Sequence, residues 1–126
     1  MKKSEAYLKL LNENLEKQKN KWYETKPTDI DYQYEFINYA ECRAAYNAAA
    51  EILKLIKDDA GEIIEKNLQE LEDKYYAENL SFNLIMTNKP TESLMSAYVN
   101  RERARCRWQG AKALAEKFSE AKYDYS

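Results

Sequence analysis

The chain has 126 residues, enough for one domain with a modest core, and a net charge of −2. It contains only two Gly and two Pro, so helix is the default conformation, and its 44% hydrophobic residues with 11 Tyr argue against a disordered chain. Because the chain has no His, it lacks the residue needed for His-activated nucleophiles, the usual zinc sites and the Glu-x-x-His di-iron site.

The first half of the chain predicts two helices joined by a short turn. Apolar residues recur at spacings of three and four over 4–23, which favours a first helix there. Pro27 ends this helix, because the residue before a proline disfavours helical geometry. Thr28 is a candidate N-cap for a second helix over 29–57, with Asp31 as its capping-box partner.

The boundary after the second helix is the weakest in the sequence. Asp59, Gly61 and Glu62 predict a turn, since Gly interrupts helices and Asp caps them. No Pro stands at this point, so one unbroken helix over 28–79 is the alternative, which would require a dimer to bury its apolar face.

The second half predicts a third helix over 61–78 and a fourth over 91–122. Residues 79–88 between them are unusually apolar for a connection, and Pro90 lies just before the fourth helix. We interpret residues 79–88 as an apolar loop inserted between the two helices.

An internal repeat relates the two halves. The segment 10–23 reads LLNENLEKQKNKWY and the segment 63–76 reads IIEKNLQELEDKYY; Lys-Pro-Thr at 26–28 recurs at 89–91, and 36–56 aligns with 98–118. The predicted fold is therefore all-α: a four-helix antiparallel bundle made of two duplicated αα-hairpins. It forms a single domain over 1–126, with superposable hairpins at 4–57 and 61–122.

Two faces of the long helices carry the predicted packing. On the inward face, Tyr46 and Trp108 occupy equivalent positions, and we expect each to anchor the core of its half, with a cost of about 3–5 kcal/mol on truncation to Ala. A second stripe, rich in small residues, favours a second buried face on both helices, with self-association as the alternative. Its members are Ile37, Ala44, Ala48, Leu55, Val99, Cys106 and Gly110.

Four of the five arginines fall within residues 101–107. Arg101 lies on the inward face and needs a carboxylate there, for which Glu35 is our candidate. Glu41 and Arg103 occupy equivalent positions of the repeat and predict a salt bridge if the second and fourth helices face each other. The remaining arginines either pair with carboxylates of neighbouring helices or bind a partner.

The insertion and the arginines together predict a partner-binding surface. An apolar insertion that the fold does not require either caps the bundle or meets a partner. The insertion precedes the fourth helix, whose first turns carry the arginines. The predicted surface consists of Leu80, Phe82, Ile85, Met86, Arg103 and Arg107.

These features favour binding over catalysis. We predict a non-catalytic protein-binding module, of the kind that a phage or mobile element uses as an accessory or inhibitor protein against a larger host protein, with no cofactor and no metal site. The alternative is nucleic-acid binding through residues 101–107. A second, weaker alternative is a metal-dependent nucleotide hydrolase. Glu62, Glu65, Glu70 and Asp73 resemble the magnesium-binding carboxylate pairs of all-helical nucleotide pyrophosphatases, although those pairs come from two helices and these lie on one.

The remaining expectations concern location and assembly. No stretch is long and apolar enough to span a membrane, and charges interrupt the apolar residues near Met1, which argues against a signal peptide. We therefore expect a cytoplasmic protein, monomeric or homodimeric, whose Cys42 and Cys106 are reduced.

Overall fold

A computed structural model describes residues 2–88 and 94–123, and it contains four α-helices. They are α1 (Lys2–Glu24), α2 (Tyr32–Lys57), α3 (Gly61–Asn88) and α4 (Leu94–Tyr123), with no strand among the described residues. The predicted all-α helical bundle is confirmed. The second helix begins three residues later than predicted: Asp31, and not Thr28, occupies the N-cap position, and it makes no side-chain capping bond.

The prediction of a loop over 79–88 is wrong, because α3 continues through these residues to Asn88. The physical reason is that the apolar spacing of the helix does not stop at residue 78: Tyr75, Phe82 and Ile85 continue one half-buried face. The Thr87 hydroxyl donates to the carbonyl oxygens of Asn83 and Leu84, within the last turn. The repeat of Lys-Pro-Thr at 89–91 lies outside the described residues.

A tight turn separates α2 from α3, so the alternative of one unbroken helix is wrong. Asp59 adopts a left-handed backbone conformation with φ of 57°. The N–H of Ala60 donates to the carbonyl of Leu55, which satisfies one of the last helical carbonyls. The turn uses the tolerance of Asp for this conformation, while Gly61 takes the first position of the next helix.

The packing centres on the contact between α2 and α4. Ala44, Ala48 and Gly110 of the small-residue stripe are buried, so the expectation of a second buried face on both helices is confirmed. The backbones approach closely: a methyl group at position 110 would lie 2.6 Å from the carbonyl oxygen of Ala45.

The other two helices pack on the outside of this central pair. Helix α1 packs mainly on α2, and α3 packs mainly on α4; within the described residues no Cα atom of α1 lies within 8 Å of a Cα atom of α3. The largest fully buried apolar side chains are Ile52 and Leu114, in one core cluster with Ala49 and Ala111. This core lies in the half of the bundle nearest the turn between α2 and α3.

Helices α2 and α4 run in the same direction, because Gly110 meets Ala45 and, farther along both helices, Leu114 shares the core with Ile52. The starts of α2 and α4 therefore lie at one end of the bundle. The ends of α1 and α3 lie there too, since the Trp22 ring is 6.2 Å from Tyr32 and the Phe82 ring is 6.2 Å from Tyr98. We call this end the distal end.

The predicted core anchors Tyr46 and Trp108 are half-buried, so their assignment to the core centre is wrong. Trp108 instead stacks on Tyr75, with ring centroids 5.8 Å apart and an angle of 20° between the planes. The core centre is occupied by small residues with Ile52 and Leu114, because the close approach of α2 and α4 leaves no room there for a large ring.

The aromatic contacts do not follow the predicted correspondence between the hairpins. In the first hairpin, Trp22 packs on Phe36 and Tyr39. Its repeat mate Tyr75 packs on Trp108, and it is Phe82 that meets Tyr98, the residue aligned with Phe36. The added helical residues have thus shifted α3 along α4 by about two turns. Duplication of the hairpins itself stays a prediction.

We predict that Gly110→Ala destabilises the protein by about 1–3 kcal/mol, because the added methyl group would collide with the backbone of Ala45 and force α2 and α4 apart. Urea unfolding followed by circular dichroism measures the change. Gly61→Ala is the matched control: nothing lies within 4 Å of the added methyl group. The control should be neutral or more stable by up to about 1 kcal/mol, since Ala favours helix over Gly. Equal stability of the two variants would contradict the close approach.

Candidate functional site

The five arginines fall into two groups with different environments. Arg101 and Arg105 both bind Glu102: Nη2 of Arg101 lies 3.0 Å from Oε1, and Nε of Arg105 donates to Oε2 at 2.7 Å. The Glu102 side chain is only 13% exposed, so two cations compensate one largely buried carboxylate. These two arginines are therefore engaged within α4.

Arg101 does not meet its predicted partner. Its guanidinium lies over the Phe82 ring at 4.1 Å and near the Tyr98 ring at 5.4 Å, while Glu102 supplies the carboxylate. The predicted pair with Glu35 is wrong: Oε2 of Glu35 is buried without a hydrogen-bond partner. Glu102, the residue next to Arg101 on α4, offers this guanidinium a nearer carboxylate than Glu35 of α2 does.

The second group consists of Arg43 from α2 and Arg103 and Arg107 from α4. These three line a cavity of about 300 Å³ between the two helices, whose wall also includes Phe36, Tyr39 and Asn47. We call this cavity the arginine groove. Among the described residues none of the three forms a salt bridge, and the buried Nε of Arg103 has no hydrogen-bond partner.

The groove continues toward α3. A second cavity of about 290 Å³ shares Arg103 and Arg107 and is completed by Lys74, Glu78 and Asn100. Glu78 is 2.8 Å from Nζ of Lys74, so the carboxylate at this wall is already paired with a lysine. The two cavities thus share Arg103 and Arg107, and among the described residues neither arginine is paired with a carboxylate.

Glu41 lies on a different side of α4 from the groove. The predicted salt bridge to Arg103 is wrong, since no such pair forms and Glu41 instead interacts with Glu102 and Arg105. Burial, and next the negative charge of Glu102, raise the pKa of Glu41 above its ordinary value, while Arg105 acts in the opposite direction. The surroundings of Glu41 thus disfavour the ionised form of its side chain.

Both cysteines border this region as free thiols. Cys42 and Cys106 line a small cavity with Leu11, Asn14 and Glu41. Burial raises the pKa of Cys42 and raises that of Cys106 to about 11. Both thiols are accordingly protonated near neutral pH and are poor nucleophiles.

The six residues of the predicted partner-binding surface occupy three different places. Leu80 and Met86 are exposed, at 60% and 53%. Phe82 and Ile85 are half-buried, and Phe82 packs under Arg101. Arg103 and Arg107 line the arginine groove.

Sequence reasoning missed Arg43 as the third member of the groove, and it left Leu84, an apolar residue of the predicted insertion, out of the six residues named for the surface. The signal for Arg43 was a lone arginine next to Ala44 of the small-residue stripe, at the edge of the face that meets α4. Leu84 follows Leu80 by four residues and is 52% exposed, which helical spacing would have revealed had the segment been read as helix.

Exposed apolar side chains gather at the distal end. Twelve large hydrophobic residues are exposed among the described residues, and nine of them lie within about three helical turns of the two distal connections. The first hairpin contributes Tyr23, Ile30, Tyr34 and Phe36; the second contributes Leu80, Leu84, Met86, Met95 and Tyr98.

No group of three or more His, Cys, Asp or Glu in the described ranges has the arrangement to hold a metal ion. The carboxylates Glu62, Glu65, Glu70 and Asp73 are exposed along α3. Within 2–88 and 94–123, no helix has the length and apolar character of a membrane span.

Comparison of the chain with protein-family models, with curated proteins and with solved structures finds no match.

We predict that Glu41→Gln stabilises the protein near neutral pH. The pKa of Glu41 is higher in the folded than in the unfolded state, so its protonated form favours folding. That contribution is complete below the unfolded pKa and is lost as pH rises through the folded pKa. The glutamine variant should therefore melt at a higher temperature than the wild type at pH 7, and the difference should shrink at pH 4.

Glu51→Gln, which changes an exposed carboxylate of the same helix, is the control and should leave the melting temperature nearly unchanged. A lower melting temperature for Glu41→Gln at pH 7 would show that Glu41 forms a net favourable interaction with Arg105.

Proposed function

We propose that this protein is a non-catalytic binding module that contacts a larger protein through the distal end of its bundle. The observation that carries the proposal is the set of nine exposed apolar side chains at that end. Scattered exposed hydrophobic residues are ordinary, but a concentration of them at one end is typical of interaction surfaces.

The types of residue support a protein partner. Tyr, Met and Arg are enriched at protein interfaces, and the distal end offers Tyr34, Tyr98, Met86 and Met95 in exposed positions. Tyr in particular gives a large contact area for a small loss of side-chain entropy. None of these side chains is needed to fill the core, which lies toward the other end.

The charge of the arginine groove specifies the partner further. Three guanidinium groups without a carboxylate stand beside the exposed ring of Phe36. A surface that joins acidic with apolar residues is complementary to this combination. We accordingly propose a partner whose contact surface is apolar with acidic groups at one side.

The biological setting belongs to the same proposal. A composition rich in Lys, Asn and Tyr suits an accessory or inhibitor protein of a phage or mobile element that acts on a host protein. This part of the proposal rests on composition alone.

Nucleic-acid binding through the arginines is the second candidate, favoured by the unpaired Arg43, Arg103 and Arg107 near Tyr39. This candidate is weakened because Arg101 and Arg105 are paired with Glu102, so two of the four clustered arginines remain to bind phosphate. Phosphate contacts would make the affinity fall steeply with salt concentration, and this dependence separates the two candidates.

The test is a partner capture with paired variants. Leu80→Ser with Leu84→Ser removes two exposed apolar groups of the distal end, and should weaken binding of the captured partner, once purified, at least about tenfold. Leu10→Ser with Ile63→Ser is the control, since these leucine and isoleucine side chains are similarly exposed, at 50% and 46%, but lie away from that end.

Titration calorimetry with the purified partner gives the affinities, and circular dichroism verifies that each variant is folded. The proposal fails if the two pairs of substitutions weaken binding equally, or if the distal pair leaves the affinity unchanged.

A further inference from the structure

We propose that the arginine groove binds carboxylate side chains of an acidic segment of the protein partner. This inference rests on the proposed function and assigns the groove a defined part of it. Arg43 supplies the α2 side of the site, and Arg103 and Arg107 supply the α4 side.

The first argument is electrostatic. Three guanidinium groups line one recess of about 300 Å³, and within the described residues none is paired with a carboxylate. The same helix shows the contrast, because Arg101 and Arg105 share Glu102. Like charges placed together without a counter-charge repel one another, so these charges do not stabilise the free protein. It becomes favourable once an anion enters.

The second argument concerns hydrogen bonding. The Nε of Arg103 is buried and has no acceptor, although a buried donor without a partner costs free energy. An oxygen atom placed in the groove would satisfy it. Guanidinium groups bind carboxylates through two parallel hydrogen bonds, which a lysine cannot do, and all three cations lining the groove are arginines.

The third argument selects a protein carboxylate over a nucleic-acid phosphate. A nucleic-acid backbone needs positive charge spread along its path, whereas this chain has a net charge of −2 and its unpaired arginines are confined to one recess. The exposed ring of Phe36 lines the recess and suits an apolar residue next to the acidic ones.

The experiment uses a labelled hexaglutamate peptide as the probe, with its hexaglutamine counterpart and an oligothymidylate of similar charge beside it. Binding is followed at low salt by fluorescence anisotropy, and the arginine Nε–Hε signals are followed by nuclear magnetic resonance. We expect hexaglutamate to bind and to shift the signals of Arg43, Arg103 and Arg107, but not those of Arg101 and Arg105.

Arg103→Gln with Arg107→Gln should weaken hexaglutamate binding at least about tenfold, because charge-assisted hydrogen bonds are lost. Lys54→Gln with Lys66→Gln is the control, since it removes the same net charge from exposed positions of α2 and α3. If the double arginine variant fails to fold, Arg43→Gln at an exposed position replaces it, with a smaller loss expected.

Three results would overturn the inference: no binding of hexaglutamate, equal binding by the arginine and lysine variants, or tighter binding of oligothymidylate through the same arginines. The last result would assign the groove to nucleic acid.

The captured partner separates this inference from the proposed function. Loss of partner binding in the Leu80 and Leu84 variant, with full binding in the arginine variant, would refute the groove alone. Full binding by both variants would refute both.

Discussion

The close contact between α2 and α4 determines where the other parts of the molecule lie. The absence of a side chain at Gly110 lets the two backbones approach near Ala45, and buried alanines continue the contact on both sides. Two helices this close cannot hold large rings between them. The rings are therefore displaced to the outer faces, where Trp22 packs α1 on α2 and Tyr75 packs α3 on α4. The open layout, with α1 and α3 apart, follows from the narrow centre.

The arginine groove is a consequence of the same layout. Near the turn between α2 and α3, the core cluster brings Ile52 and Leu53 together with Leu68 and Leu71 and closes the space between these helices. Toward the distal end, α2 and α3 no longer fill that space, and it is lined by Arg43, Arg103 and Arg107. The apolar core thus stabilises one half of the bundle. The other half does not contribute to this core, so its residues can be charged or can expose apolar side chains.

The parts predicted correctly from the sequence were those determined by local periodicity and residue size. The four helices and the buried small-residue stripe follow from apolar spacing and from the run of alanines in α2. The prediction of a loop over 79–88 depends on the alignment of the two halves, in which these residues have no counterpart. The periodicity of the segment itself indicates a helix, because Tyr75, Phe82 and Ile85 continue the helical spacing.

The predicted salt bridges failed for another reason. An arginine side chain is long enough to reach several carboxylates. Which of them it pairs with depends on the angular position of the arginine around its helix. Glu102 lies beside Arg101 and three residues before Arg105, so it captures both. Arg103 and Arg107 line cavities between α4 and its neighbours α2 and α3, where the carboxylate of Glu78 is paired with Lys74. Sequence spacing alone does not contain these competing distances.

The added turns of α3 give the distal end its asymmetry. Helix α1 ends two residues after Trp22, whereas α3 continues six residues beyond Phe82, which packs against the matching level of α4. The four extra residues extend α3 about 6 Å farther along its axis. Met86 lies on this extension and Leu84 just before it, and the bundle core needs neither of them.

A partner that docks at the distal end therefore meets a projecting apolar helix on one side of α4 and a recessed basic groove on another. A mostly apolar partner would leave the groove charges without a counter-ion, and a mostly acidic one would leave the projecting side chains in water. A surface that combines both kinds of group in the matching arrangement would avoid both costs, and this requirement would make the proposed site selective.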